Sequence, residues 1–128
     1  MLFRSQKRDF LYVTDVARAF FMAAQTECVG RVFNLGAGNP QSVNRLIELL
    51  GGEKTYIPKR PGEPDVTWAD INRISTELGW KPEVTFEQGV ANIIANIDYW
   101  RSAPLWDPDS IARATKTWFE FMTPQGKQ

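Results

Sequence analysis

A chain of 128 residues, 43% hydrophobic and 23% charged, has room for one domain with a single core and excludes a large two-domain enzyme. Fifteen basic residues balance fifteen acidic ones, so no broad field draws in a nucleic-acid backbone or an anionic membrane, and any anion site must be local. Cys28 is the sole cysteine and histidine is absent, which excludes an intrachain disulfide, a thiolate or imidazole metal site, and Ser/His/Asp or Cys/His nucleophilic catalysis.

Phe10, Leu11, Tyr12 and Val13 form a short β-prone run, and Asp15 stands where a helix N-cap is wanted. Beyond it Val16, Ala19, Phe20 and Ala23 recur at helical spacing, which predicts a helix to about Gln25. Phe20, Phe21 and Met22 are consecutive, so one narrow helix face cannot bury all three. Residues 31–35 read as a second strand that ends at Gly36, Ala37 and Gly38. Ser42 then caps a helix carrying Val43, Leu46, Ile47 and Leu50, which Gly51 and Gly52 stop.

Thr55, Tyr56 and Ile57 give a third short strand, and residues 59–64, basic and rich in proline and glycine, form an exposed, stiff loop. Asp70 caps a short helix with Ile74 and Leu78 on its apolar face, closed by Gly79. Thr85 caps a long helix whose Val90, Ile93, Ile94 and Ile97 form a stripe reaching Trp100. After Ala103 and Pro104, Asp107 or Asp109 caps a last helix bearing Ile111, Ala114, Trp118 and Phe121, so residues 104–128 form an additional C-terminal helix and tail. Trp100 and Trp118 are expected in the core, whereas Trp68 and Trp80 adjoin loops and stay unassigned between ligand contact and core edge. The pattern predicts an α/β fold with three short strands and about five helices in a single domain over residues 1–128.

Four signatures follow one another: Arg8-Asp9-Phe10-Leu11-Tyr12-Val13 with Asp15-Val16, Val32-Phe33-Asn34-Leu35-Gly36, Arg60-Pro61-Gly62-Glu63, and Leu78-Gly79-Trp80-Lys81-Pro82. In that order, across about residues 6–98, the chain resembles the extended short-chain dehydrogenase/reductase family of NAD-dependent nucleotide-sugar epimerases and dehydratases, of the UDP-glucose 4-epimerase type. The resemblance implies the C-terminal, substrate-binding portion of that fold without its Rossmann domain. That domain carries the family's glycine-rich NAD site and its catalytic Tyr-x-x-x-Lys pair. Tyr12, Tyr56 and Tyr99 are followed four residues later by Val16, Arg60 and Ala103, so no such pair exists here, and no catalytic residue is assigned. Gly36 and Gly38 imitate a dinucleotide fingerprint, but Gln41 stands where its third glycine belongs, so an ordinary turn is favoured and no cofactor is expected in this chain.

The substrate-binding residues follow from the same resemblance. Arg8 and Arg60 are assigned to the sugar-nucleotide phosphates, for which guanidinium forks are suited. The competing reading pairs Arg8 with Asp9 or another acid and leaves Arg60 solvated. Glu63 is either an acceptor for the two ribose hydroxyls or a surface carboxylate, and Asn34 either contacts phosphate or stabilises a turn. Gln6 is a weaker candidate, Asp15 and Asp70 read as helix caps rather than acid/base carboxylates, and Cys28 reads as an inert thiol.

The expected function is nucleoside-diphosphate-sugar binding without turnover by the chain alone. Two alternatives are a self-associating interaction module, in which exposed apolar surface makes a homo-oligomer, and one half of a split epimerase or dehydratase that docks on a separate Rossmann partner. No apolar run approaches the roughly 20 residues of a membrane span, and residues 1–10 are too charged for a signal peptide. A cytoplasmic location without nucleic-acid or membrane partners is the corresponding expectation.

Overall fold

The structure, a computed structural model, describes residues 6–54, 56 and 61–122. In chain order the elements are β1 (Lys7–Arg8), α1 (Val13–Gln25), β2 (Gln41–Ser42), α2 (Val43–Leu50), α3 (Asn72–Glu77), α4 (Phe86–Ala95), a 3₁₀ turn (Ile97–Trp100) and α5 (Pro108–Met122). The helices match the expected number, whereas the strands do not fall where sequence placed them. β1 and β2 pair antiparallel, Lys7 opposite Ser42 and Arg8 opposite Gln41, and Lys7 also forms a parallel bridge to Val66. β1 therefore lies between β2 and the segment that leaves the Pro61 loop.

The β-prone residues 10–12 and 31–35 join no ladder among the described residues, and Val13 already begins α1. A strand is held by a neighbouring strand, and apolar β-formers supply only the side chains for one. Leu11, Phe33 and Leu35 nevertheless pack against the core, so the apolar pattern reports burial even though no sheet forms. Of the third expected strand, Thr55 and Ile57 lie outside the described residues, and Tyr56 belongs to no regular element.

The core is small. Ala19 of α1, Ile74 of α3 and Trp80 are buried together, with Met22, Ile71 and Leu78 also packed on them. Trp80 is completely buried, and its indole N–H donates to the Asp15 carbonyl at 3.1 Å. This settles Trp80 as core, whereas Trp68 is exposed. Arg18 lies 5.9 Å from the Trp80 ring centroid and also donates to the Lys81 carbonyl, closing the edge of the core.

Asp15 is not an N-cap. It sits in the first turn of α1, is 2% exposed, and its carboxylate accepts the Glu83 and Val84 amides at 3.1 and 3.0 Å. Arg18 Nη2 approaches the other carboxylate oxygen at 3.2 Å. A buried carboxylate needs such donors, and here they fasten α1 to the chain entering α4.

Other caps follow the sequence. The Ser42 hydroxyl accepts the Arg45 amide at 3.0 Å, and α2 ends at Gly51 with φ 72°. Thr85 and Gln88 form a capping box on α4. Asp107 caps α5 through the Ser110 amide, whereas α3 is preceded by Ile71 without a side-chain cap and the expected cap Asp70 stands one position earlier, accepting the Asn72 amide at 2.9 Å.

α4 stops at Ala95, shorter than the expected run to Trp100, and the chain tightens into the 3₁₀ turn. Of its predicted buried stripe only Val90 is buried; Ile93, Ile94, Ile97 and Trp100 are exposed, as is Trp118 of α5. The helical spacing correctly marks one face, but among the described residues nothing covers most of it. α2 packs on α4, and an apolar cavity of about 290 Å³ opens between them and residues 10–12, where the Phe10 and Phe86 rings stand 5.1 Å apart.

Candidate functional site

Arg8 owes its position to β1. The Lys7 amide donates to the Asp65 carbonyl at 2.8 Å and the Thr67 amide to the Lys7 carbonyl at 3.2 Å, which draws the loop after Pro61 alongside the strand. The Arg8 guanidinium then reaches that loop: Nη1 donates to the Pro64 carbonyl at 3.1 Å and to its neighbour Lys7 at 2.8 Å, and Nη2 lies 3.3 Å from Glu63 Oε1. Two residues 55 positions apart in sequence, both assigned to substrate, thus meet directly. Their side chains are 25% and 18% exposed, half-sheltered rather than freely solvated.

A guanidinium carries five N–H donors in a planar fork. The acceptors that Arg8 meets among the described residues leave donor capacity for an incoming anion, and the fork geometry suits a phosphate. Glu63 offers a carboxylate beside it, an acceptor for hydroxyl groups. Positive and acceptor groups side by side are what a ligand bearing both a phosphate and vicinal hydroxyls requires.

Arg8 thus does pair with an acid, as the competing reading held, but that acid is Glu63 and not Asp9. Asp9 accepts the amides of Gly38 at 3.2 Å, Asn39 at 3.4 Å and Ala69 at 3.1 Å, tying the turn after residues 31–35 to the segment before α3. Gly36 is required beneath it, because an added Cβ would stand 2.3 Å from Asp9 Oδ2 and 2.6 Å from the Ala69 Cβ. This knot was not found from sequence; the only signal was an acid adjoining a β-prone run, which could not specify three backbone donors distant in the chain.

Asn34 is exposed on the segment leading into that knot, and no described contact joins it to Arg8 or Glu63. Arg60 lies outside the described residues. Gln6 contributes its carbonyl to the Val43 amide at 2.9 Å, a structural role at the start of α2. Cys28 is exposed, and its amide donates to Thr26 Oγ1. Among the described residues no three His, Cys, Asp or Glu side chains group as metal ligands, and no helix is long and apolar enough to cross a membrane.

The sequence profile of the GDP-mannose 4,6 dehydratase family matches residues 4–93. Among curated proteins, a dTDP-glucose 4,6-dehydratase of Escherichia coli is 31% identical over 129 aligned residues, which cover 90% of this chain and 35% of the relative. A UDP-glucuronate 4-epimerase of Thermodesulfobacterium geofontis is 35% identical, covering 70% of this chain and 30% of the relative. The chain thus spans about a third of the length of these relatives. Among solved structures, UDP-glucuronic acid 4-epimerase from Bacillus cereus, in complex with UDP-glucuronic acid and NAD, superposes with a TM-score of 0.68 at 33% identity. That match covers 75% of this chain and 33% of the epimerase. UDP-glucose 4-epimerase from Thermotoga maritima, with UDP-glucose, gives a TM-score of 0.68 at 31% identity over the same shares of the two chains.

Proposed function

Because the chain belongs to the extended short-chain dehydrogenase/reductase family of nucleotide-sugar epimerases and dehydratases, we propose that it is a nucleoside-diphosphate-sugar-binding portion of such an enzyme, without turnover by itself. The observation that carries this is the meeting of Arg8 with Glu63 on one side of β1. In our reading Arg8 and Arg60 hold the diphosphate, Glu63 accepts the ribose hydroxyls and Asn34 adds a phosphate contact. Ligand binding would redirect Arg8 Nη2 from Glu63 toward phosphate.

The reaction itself belongs to groups this chain does not supply. Hydride transfer to and from a nucleotide sugar is nicotinamide chemistry, and the turn at residues 36–39 does not fit a dinucleotide diphosphate. The Gly38 and Asn39 amides that would cradle one already donate to the Asp9 carboxylate, whose charge opposes a second anion. We therefore assign neither NAD nor a proton-transfer role to these residues.

A thermal melt tests the binding reading. A ligand that occupies only the folded chain stabilises it by about 2.7 kcal/mol at a hundredfold excess over its Kd. Millimolar UDP-glucuronic acid or dTDP-glucose is expected to raise the melting temperature of the wild type and to do so less for Glu63→Ala. No shift for any nucleoside-diphosphate sugar would contradict binding by the chain alone.

A second reading is favoured by one observation: Phe20 and Phe21 of α1 are 69% and 64% exposed, with Val29 and Val32 beyond the helix exposed as well. Apolar surface of this kind is covered by association, either with a second copy or with a Rossmann partner in a split enzyme. Sedimentation across a concentration series separates these. A concentration-dependent dimer supports self-association, whereas a monomer that gains turnover only when mixed with a Rossmann half supports the split enzyme.

A further inference from the structure

We propose that α5 is a clamp on the substrate loop and that Trp118 is a positioning residue for Glu63 and Arg8; the inference rests on the binding reading above. Helix α5 lies beyond the residues matched by the family profile, which end at 93. It nevertheless reaches back over the chain to the loop that carries the candidate site. The Trp118 indole N–H donates to the Pro61 carbonyl at 3.0 Å, a contact across 57 positions of sequence.

One turn further along, Met122 closes on Gly62. That glycine has φ 76°, a left-handed conformation that side chains disfavour, and a Cβ there would stand 2.7 Å from the Met122 methyl carbon. The next residue is Glu63, whose carboxylate meets Arg8, and Pro64 supplies a carbonyl to the same guanidinium. The turn at residues 61–64 is therefore gripped from two sides, by α5 through its first two residues and by Arg8 through its last two. A loop held from one side only loses the register between carboxylate and guanidinium that a diphosphate and a ribose must find together. Preorganising such a loop raises affinity by removing the ordering cost from the binding step.

The Trp118→Phe variant keeps an aromatic ring but removes the indole donor with part of the ring area, and Met122→Ala removes the thioether arm whose methyl lies over Gly62. Each is to be compared with wild type by hydrogen exchange at the Gly62 and Glu63 amides and by titration with uridine diphosphate and thymidine diphosphate. The expected result is faster exchange at these amides, diphosphate affinity about three- to tenfold weaker in Trp118→Phe, the size of one lost hydrogen bond, and an unchanged urea midpoint. Exchange and affinity both equal to wild type in both variants would overturn the clamp. A wild-type chain that binds neither diphosphate, while exchange still accelerates in the variants, would refute the binding reading and leave the clamp standing.

Discussion

Asp15 and Asp9 show what a carboxylate's surroundings add to its sequence position. Both adjoin apolar runs, and a cap or an ion pair was the natural expectation for them. Each instead gathers backbone amides from distant segments: Asp15 those of residues 83 and 84, Asp9 those of residues 38, 39 and 69. Local pattern cannot announce a donor that arrives from another part of the chain. Asp15→Ala strands buried donors and is expected to cost about 2–4 kcal/mol, measured by urea unfolding. Gly36→Ala drives a methyl into the Asp9 carboxylate and Ala69, and the carboxylate cannot yield without releasing its amides. About 1–3 kcal/mol is expected from such overpacking, and a midpoint equal to wild type would show that the knot is looser than drawn. At the candidate site, Arg8 and Glu63 were both legible through motif order, while their direct pairing depends on the ladder between Lys7 and Val66, which no periodicity encodes.

At the scale of elements, helices were legible and strands were not, for one reason. A helix satisfies its own backbone and announces its ends locally, by side-chain caps such as Ser42 and Thr85 and by the left-handed Gly51. A strand depends on a partner, and residues 31–35 have none among the described residues. The one end left open by sequence, Asp107 or Asp109 for α5, resolves to Asp107, whose carboxyl is held below its ordinary value of 3.8 by the Ser110 amide and then by the Ser110 hydroxyl. A lowered folded-state value means that the cap contributes above the ordinary value and is lost as pH falls through the folded one. Helical circular dichroism is therefore expected to stay level down to about pH 4 and to decline below it. Asp107→Asn should remove part of that decline, and identical acid profiles for variant and wild type would show that the cap carries no pH dependence.

At the scale of the molecule, the core of Ala19, Ile74 and Trp80 is small beside the apolar surface left open on α1, on the outer face of α4 and on α5. Helical spacing identified these faces, but burial is a property of what packs against them, and the chain spans only about a third of the relatives it matches. The same proportion separates binding from chemistry in the proposed function. Arg8 and Glu63, proposed for phosphate and ribose, meet where the Pro61 loop lies along β1, whereas the Tyr-x-x-x-Lys pair has no counterpart in the sequence.

Calorimetric titration of the folded chain with uridine diphosphate and thymidine diphosphate, in parallel with Arg8→Ala and Arg60→Ala, bears most directly on that function. Saturable heat in the wild type, lost in both variants while their unfolding midpoints hold, is the predicted result. No heat from either diphosphate, or heat that both arginine variants retain, would contradict a sugar-nucleotide site at Arg8 and Glu63.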